Sequence, residues 1–128
     1  EIVATGEELA ENHEHRERSF QALLAAGVPL LVGTDASIPA VWPGSGYVAE
    51  LKALLAHGYP VNQLIVSMTS RAARVVAGDN ADFGVVQTGK CADLVVVDGD
   101  PLSDPSLLFR PSLVLRGGHV VERLPAKP

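Results

Sequence analysis

The sequence predicts a mixed α/β fold, in which a helix–strand–helix unit is followed by a small β unit. Residues 28–34 form a short apolar run that ends at a carboxylate. On both sides of this run the apolar residues have the spacing of a helix, which is typical of a βα unit rather than a hairpin. From Asp79 onward the helical spacing stops and short runs of valine and leucine begin. We therefore expect two structural units, residues 1–78 and residues 79–128.

The first predicted helix ends at Gly27, which suits a left-handed C-terminal cap. Thr5 and Glu8 have the spacing of a capping box. Glu14 and Arg18 are placed for an i,i+4 ion pair on the exposed side. These three features together predict where the helix begins, which side faces solvent and where it ends.

The same helix contains His13 and His15, two residues apart. On a strand such a pair shares one face and can hold a metal ion. On a helix the two side chains diverge by about 200°. The surrounding pattern is helical, so it favours a solvated pair over a metal site.

Asp35 follows the predicted strand at its carboxyl end. Leu30, Leu31 and Val32 do not alternate with polar residues, which predicts a strand buried on both faces in a parallel sheet. Parallel α/β folds and barrels place functional groups at the carboxyl ends of their strands. Asp is also common in turns, so Asp35 could instead cap the following loop. The spacing alone leaves both interpretations open.

Three further helices are predicted after the strand. The loop at residues 36–45 contains Trp42, which could line a pocket or seal the top of the core, and the seal is favoured. Residues 47–57 have helical spacing, and Pro60 suits the first turn of the next helix. A break at residues 69–70 precedes a short helix that ends before Gly78.

The last part of the chain predicts antiparallel or mixed β structure. Short β runs stand at residues 85–86, 92–97 and 113–115, and Gly117-Gly118 predicts a primed hairpin turn. Residues 84–91 come close to the motif of a phosphate-binding loop. That motif needs a helix after it and a Ser or Thr hydroxyl at its last position, whereas here a strand follows and Cys91 occupies that position. We expect tight turns there, with Lys90 solvated.

Composition is that of a soluble globular chain. The 128 residues are 47% hydrophobic and carry a net charge of −5, which argues against nucleic acid or an anionic membrane as a partner. No apolar run approaches the ~20 residues that span a bilayer. No secretory segment is evident and the single Cys91 can form no internal disulfide. These features favour a cytoplasmic protein, and the start at Glu1 favours a chain that was trimmed or cut from a longer one.

Four segments in order resemble the amidohydrolase superfamily of metal-dependent hydrolases, in particular the branch with imidazolonepropionase and the prolidase-like enzymes. Residues 26–36, with Gly33-Thr34-Asp35, resemble the last barrel-strand segment. Glu50-Leu51 and residues 68–74 resemble the helical region after it. Residues 84–98, continued by residues 100–102 and 114–121, resemble the passage into a small composite β sandwich.

This resemblance implies the last βα units of a TIM barrel followed by strands of the small β domain. It also implies that Asp35 binds or faces a divalent metal, with zinc expected, and acts as the general base toward the attacking water. A carboxylate suits both roles, because it is a hard oxygen ligand and can accept the proton of a metal-bound water whose pKa has fallen to ~7.

The chain departs from the family pattern by what it lacks. Eight βα units need ~250 residues, and this chain has 128. The first-strand His-x-His, the carboxylated Lys or Glu and two later His ligands have no counterpart, and Val48 or Ala49 stands where relatives often have a His. We therefore expect the chain to be a carboxy-terminal portion with an incomplete site. Alone it should be inactive, and the sequence leaves open whether it binds a metal without the missing ligands.

Two functions follow as hypotheses. The first is hydrolysis of C–N bonds in small amides or cyclic amides by the complete enzyme. The alternative is a non-catalytic α/β scaffold or binding module, for which the Trp42 loop could provide a pocket wall. Because an incomplete barrel exposes strand edges and apolar helix faces, we expect a homodimer or a complementing amino-terminal barrel chain as partner.

Overall fold

The structure, a computed structural model, describes residues 6–36 and 41–123, with side chains described for residues 11–36 and 41–121. Four α-helices precede a small sheet, and a 3-10 turn, Pro105–Phe109, lies between its first two strands. In chain order the elements are α1 (Gly6–Ala25), α2 (Ser45–Ala56), α3 (Val61–Met68), α4 (Ser70–Ala77), β1 (Leu94–Val96), β2 (Leu113–Arg116) and β3 (His119–Arg123). The predicted mixed α/β composition is confirmed.

Helix α1 contacts the rest of the chain through its carboxy-terminal half. Phe20 and Leu24 are half-buried against the core, whereas Glu14 and Arg18 form the predicted pair on the exposed side, 4.0 Å apart. Gly27 has φ 65°, the left-handed cap that its position predicts. The predicted capping box at Thr5 and Glu8 lies outside the described side chains.

The core is centred on three side chains from α2, α3 and the connection between them. Leu51 and Leu64 are fully buried and Tyr59 is 5% exposed. Half-buried side chains surround them, contributed by α1, residues 30–32, α2, the end of α3 and the 3-10 turn: Phe20, Leu24, Leu30, Val32, Tyr47, Leu54, Leu55, Met68, Leu108 and Phe109. Helix α2, which the spacing predicted, therefore lies at the centre of the packing.

The break between α3 and α4 falls at Thr69, as predicted. Its hydroxyl donates to the carbonyl of Ile65, and its own carbonyl accepts from the amide of Ala73. Gly84 packs against this corner with φ 88°, and a Cβ there would lie 2.5 Å from the Cβ of Ala73. The glycine is thus required by a close approach as well as by its backbone conformation.

The three strands form one antiparallel sheet in the order β1-β2-β3. Leu94 pairs with Leu115, and β2 and β3 are joined by Gly117 and Gly118, with φ of 55° and 81°. Positive φ at both turn residues is the type I′ pattern, so the predicted hairpin is confirmed. The register shifts between Val114 and Leu115, where β2 pairs irregularly with β3.

Two predicted strands are not formed in the described residues. Residues 28–34 belong to neither helix nor sheet, although the pattern predicted a paired strand. Val85 and Val86 were also predicted as β structure, yet they lie in a loop and are 42% and 88% exposed. Both segments have β-forming side chains without a neighbouring strand in the described ranges, and pairing is what defines a strand.

No helix within the described ranges has the length and apolar character needed to cross a membrane.

Candidate functional site

Asp35 is exposed and lies at the end of the segment that leads out of the core. Its φ is 49°, and it is the one non-glycine among the described residues with positive φ. The left-handed region is uncommon for residues with a Cβ, although Asp and Asn adopt it more readily than most. Such conformations cost about 1–3 kcal/mol and cluster at functional sites. The backbone outlier therefore coincides with the residue that the sequence singled out.

Residues 30–36 alternate between the core and solvent. Leu30, Val32, Thr34 and Ala36 are half-buried, whereas the residues between them are exposed, including Leu31 at 41%. An alternation with period two is that of an extended segment covered on one face. The prediction of burial on both faces is wrong for this chain, because its described elements pack against the even-numbered side only.

Arg71 holds this segment against the helices. Its guanidinium donates to the carbonyl of Leu30 at 3.0 Å, to the hydroxyl of Tyr59 at 3.2 Å and to the side chain of Gln63 at 2.9 Å. A guanidinium presents five donors in a rigid fork, which suits three acceptors on different elements. Arg71 thus fixes the strand-like segment five residues before Asp35.

The start of α2 lies beside Thr34. The Thr34 hydroxyl accepts from the amide of Ala36 at 3.3 Å, a local bond typical of turn-forming Thr. A Cβ at Gly46 would lie 3.7 Å from the Cβ of Thr34 and 2.9 Å from Val41. A small residue in the first turn of α2 therefore lets the helix approach the end of the segment that carries Asp35.

Trp42 lies in the turn before α2 and is 73% exposed. Its carbonyl accepts from the amide of Gly46 at 2.8 Å, so the backbone is anchored while the indole is in solvent. The predicted seal over the core is wrong, because Leu51 and its neighbours are already covered by α1 and residues 30–32. Trp42 also lines neither of the two principal pockets of the described residues.

The predicted histidine pair lies on α1 as a helix would place it. His13 and His15 are both exposed. Among the described side chains no group of three or more His, Cys, Asp or Glu could hold a metal ion. The helical interpretation of this pair is confirmed.

The remaining histidine of the helical region, His57, pairs with Glu17. Its Nδ1 contacts the Glu17 carboxylate, and its ring lies edge-on to Phe20 with centroids 6.0 Å apart. Gln21 donates to Glu17 and to the His57 carbonyl, both at 2.9 Å. The hydrogen bond from Gln21, followed by the contact with His57, lowers the pKa of Glu17. The cluster joins α1 to the end of α2 and does not include Asp35.

The phosphate-loop look-alike is a set of turns, as predicted. Gly84 and Gly89 have φ of 88° and 86°. Lys90 was expected to be solvated, but it is half-buried and donates to the carbonyl of Ala81 at 2.6 Å. Cys91 donates to Asp82 at 3.2 Å, and this hydrogen bond raises the pKa of the thiol.

A comparison with protein families gives a match to the model of the amidohydrolase family over residues 9–121. The match spans the segment with Asp35, the helices that pack against it, β1, β2 and the first part of β3. This chain belongs to the amidohydrolase family. No match was found among curated proteins.

Amidohydrolases are typically metal-dependent, and a metal site needs several ligands close together. A catalytic zinc takes about three protein ligands. The carboxylate of Asp35 could provide one oxygen ligand, and the described side chains contain no cluster that would complete the set. The described part of the chain therefore does not fit a metal by itself, and no metal-dependent step is derived from it.

Arg71 is the residue beside the candidate site that the sequence pattern did not single out. In the sequence, residues 68–74 show only their resemblance to the family. The stretch contains two arginines, Arg71 and Arg74, and nothing in the local pattern distinguishes the half-buried one from the exposed one. The acceptors of Arg71 lie up to 41 positions away in sequence, so they could not be named beforehand.

Proposed function

We propose that this chain is the carboxy-terminal part of a metal-dependent amidohydrolase that hydrolyses C–N bonds in small amides or cyclic amides. The observation that carries the proposal is the family match over residues 9–121, which includes Asp35 in its strained conformation. Residues 26–36 resemble the last barrel strand of the imidazolonepropionase and prolidase-like branch, and that branch supplies the substrate class.

Asp35 is the catalytic base in this proposal. No described residue forms an ion pair or hydrogen bond with its carboxylate, which is exposed at the end of residues 28–34. A carboxylate in that position can accept a proton from an attacking water molecule and pass it to the leaving nitrogen. Arg71 and Thr34 position the backbone that carries it and touch no reacting atom.

The rest of the site comes from outside the described residues. In our proposal the divalent metal, zinc by analogy with the family, is held mainly by ligands of a complementing amino-terminal barrel portion. The exposed odd-numbered side of residues 30–36, with Leu31 at 41%, supports a partner on that side. In isolation the chain is proposed to cover the same side by forming a homodimer.

The test is Asp35→Asn in the chain combined with an amino-terminal barrel portion of the family. Asn has the same shape and also tolerates positive φ, but it cannot act as a base. We expect the hydrolysis rate of cyclic amides to fall by about 10²–10⁴-fold, measured as released amine or ring opening. Asp98→Asn, at another exposed aspartate, should retain the full rate. Full activity of Asp35→Asn would remove Asp35 from the mechanism.

A second candidate function is a non-catalytic scaffold. It is favoured by one observation, the lack of a three-ligand group among the described side chains. The scaffold hypothesis expects that no amino-terminal barrel portion restores hydrolysis, whatever residue occupies position 35.

A further inference from the structure

Trp42 is a large aromatic residue at the candidate site that contributes nothing to the core. Its indole is 73% exposed, although tryptophan is highly buried on average. It forms no aromatic pair and no cation–π contact with another described residue. Two roles were open for this side chain, a cover for the core and a wall for a ligand. Since the core is closed without it, the second role remains.

The backbone that carries the indole is held in a fixed turn. The Trp42 carbonyl accepts from the amide of Gly46 at 2.8 Å and from the hydroxyl of Ser45 at 3.4 Å. Pro43 restricts the backbone directly after Trp42, and the turn leads into α2, whose Leu51 is fully buried. A ligand that stacks on this indole therefore does not have to order a loop first, which is a cost that weakens binding.

The same turn is attached to the segment that carries Asp35. A Cβ at Gly46 would lie 3.7 Å from the Cβ of Thr34, and Thr34 directly precedes Asp35 in the chain. The exposed indole and the exposed carboxylate therefore belong to the same end of the molecule, where residues 30–36 leave the core. Loops at such an end commonly carry binding residues.

The chemistry of an indole face indicates which ligand suits it. The face is electron-rich, and it favours flat rings in offset stacking, with ring centroids about 4.5–7 Å apart. The carbonyl groups of a cyclic amide or imide withdraw electrons from an unsaturated ring, so a flat ring of this class complements the indole. A saturated, puckered ring or an open-chain amide presents no comparable face.

We propose that Trp42 is a substrate-binding residue that selects flat, unsaturated cyclic amides and imides by stacking on their ring. The ring amide then faces Asp35. This orientation rests on the proposed function, whereas the stacking itself requires no hydrolysis. Trp42 provides one wall of the binding site, and the amino-terminal barrel portion provides the opposite wall.

The test compares two imides that differ in the flatness of one ring. Phthalimide has a benzene ring fused to its imide, and cis-hexahydrophthalimide has a puckered cyclohexane ring in the same place. Both are titrated by calorimetry into the Asp35→Asn chain assembled with the amino-terminal barrel portion, in which binding is measured without turnover. We expect phthalimide to bind about tenfold more tightly and to quench the emission of Trp42.

Variants at residue 42 assign this preference to the indole. Trp42→Ala should weaken phthalimide binding about tenfold and change the binding of cis-hexahydrophthalimide by less than about threefold. Trp42→Phe keeps a flat aromatic face and should retain most of the preference. Leu102→Ala is the control, because Leu102 is also exposed, at 57%, and lies in the turn before the 3-10 turn. It should bind both imides as the parent does.

Kinetics with Asp35 present separate this proposal from the proposed function. Trp42→Ala should raise KM for phthalimide about tenfold and leave kcat within about threefold. Asp35-dependent hydrolysis with an unchanged KM in Trp42→Ala would remove the stacking and leave the proposed function intact. Phthalimide binding that depends on Trp42 but is followed by no hydrolysis would support the stacking and count against the proposed function.

The binding measurements can also overturn the stacking directly. Equal affinity for the two imides would show that the flat ring is not recognised. An indole that responds neither to acrylamide nor to phthalimide after assembly would be assigned to the contact with the amino-terminal portion instead. If the two portions do not assemble, the same titrations are made on the chain alone, where a lack of Trp42-dependent phthalimide binding contradicts the proposal.

Discussion

At the scale of single residues, Asp35 and Arg71 define the candidate site in different ways. Asp35 has an exposed carboxylate and a backbone conformation with φ 49°. Arg71 is half-buried, and its three hydrogen bonds join α4 to Leu30, Tyr59 and Gln63. In the proposed function the first residue is the catalytic base, and the second holds the segment that carries it.

Arg71→Gln should destabilise the fold. The guanidinium is half-buried, so its removal leaves the Leu30 carbonyl and the Tyr59 hydroxyl without their donor. Hydrogen bonds to charged groups contribute about 1.5–3 kcal/mol each, and we expect a loss of about 2–3 kcal/mol for the set. Urea denaturation measures it, as the change in the free energy of unfolding.

Arg74→Gln is the control for this change. Arg74 lies on the same helix and its ion pair with Asp79, at 3.2 Å, is largely exposed. Exposed pairs contribute about 0–1 kcal/mol. Equal destabilisation by both substitutions would show that the hydrogen bonds of Arg71 add nothing to the free energy of unfolding beyond an exposed ion pair.

Prediction from sequence succeeded at residue level where the cause is local. The cap at Gly27 was predicted because a helix ends there, and its positive φ confirms it. Asp35 was proposed as a site residue because it follows an apolar run. Lys90 was predicted to be solvated but is half-buried, and Trp42 was predicted to be covered but is exposed. Both outcomes depend on how residues distant in sequence pack around these side chains. The role of Asp35 in catalysis stays a prediction.

At the scale of elements, α1 is the least embedded helix. Its described contacts come from Phe20, Leu24 and the cluster of Glu17, Gln21 and His57 at the end of α2. Since few apolar side chains hold it, its docking should depend on the charge of Glu17. Elements with few buried contacts are those that open locally.

Acidification should therefore loosen α1. The pKa of Glu17 is lowered, first by the hydrogen bond from Gln21 and then by His57. A lowered pKa stabilises the docked state above the ordinary value of 4.5 and loses this contribution as pH falls through the lowered value. The ring resonances of Phe20 should shift toward free positions between about pH 5 and 3. Glu17→Gln should flatten this change, whereas Glu14→Gln should not alter it.

Gly84 tests the packing of the loop against the α3–α4 corner. In Gly84→Ala the new Cβ meets Ala73 at 2.5 Å and the Thr69 carbonyl at 3.0 Å, at φ 88°. We expect about 2–4 kcal/mol of destabilisation from overpacking and strain together, measured by thermal unfolding. Gly89→Ala shares the positive φ but meets nothing within 4 Å, so it should cost about 1 kcal/mol. Equal destabilisation by Gly84→Ala and Gly89→Ala would mean that the close approach of residue 84 to Ala73 is relieved without loss of stability.

Elements formed by interactions between neighbouring residues were predicted correctly, whereas elements that need a partner distant in sequence were not. The hairpin at Gly117-Gly118 and the helix breaks at Thr69 and Gly78 are set by neighbouring residues, and all three were predicted. The segments 28–34 and 85–86 have the composition of strands, but strand formation needs a partner that local pattern cannot supply.

At the scale of the whole molecule, the chain has a covered core and two uncovered sides. One side is the odd-numbered face of residues 31–35, and the other is an apolar groove lined by α3, α4 and β1. Family membership could be predicted from the order of four segments. The proposed barrel could not be tested by this fold, because one strand-like segment forms no sheet alone.

Native mass spectrometry with metal analysis tests the proposed assembly. If an amino-terminal barrel portion completes the enzyme, a complex of the two should hold zinc in roughly stoichiometric amount. The chain alone should appear as a metal-free homodimer. A zinc-loaded monomer of this chain would contradict the incomplete site, and a metal-free complex of both portions would favour the scaffold.

The exposure of Trp42 makes the chain its own optical reporter. It is the single tryptophan, and its indole is already in water while the core around Leu51 is closed. Emission at long wavelength is therefore a property of the folded chain, and melting the core changes it little. A blue shift would indicate that a partner covers the indole of Trp42. The tryptophan emission spectrum should therefore change little when the chain unfolds and should change when the chain assembles with a partner.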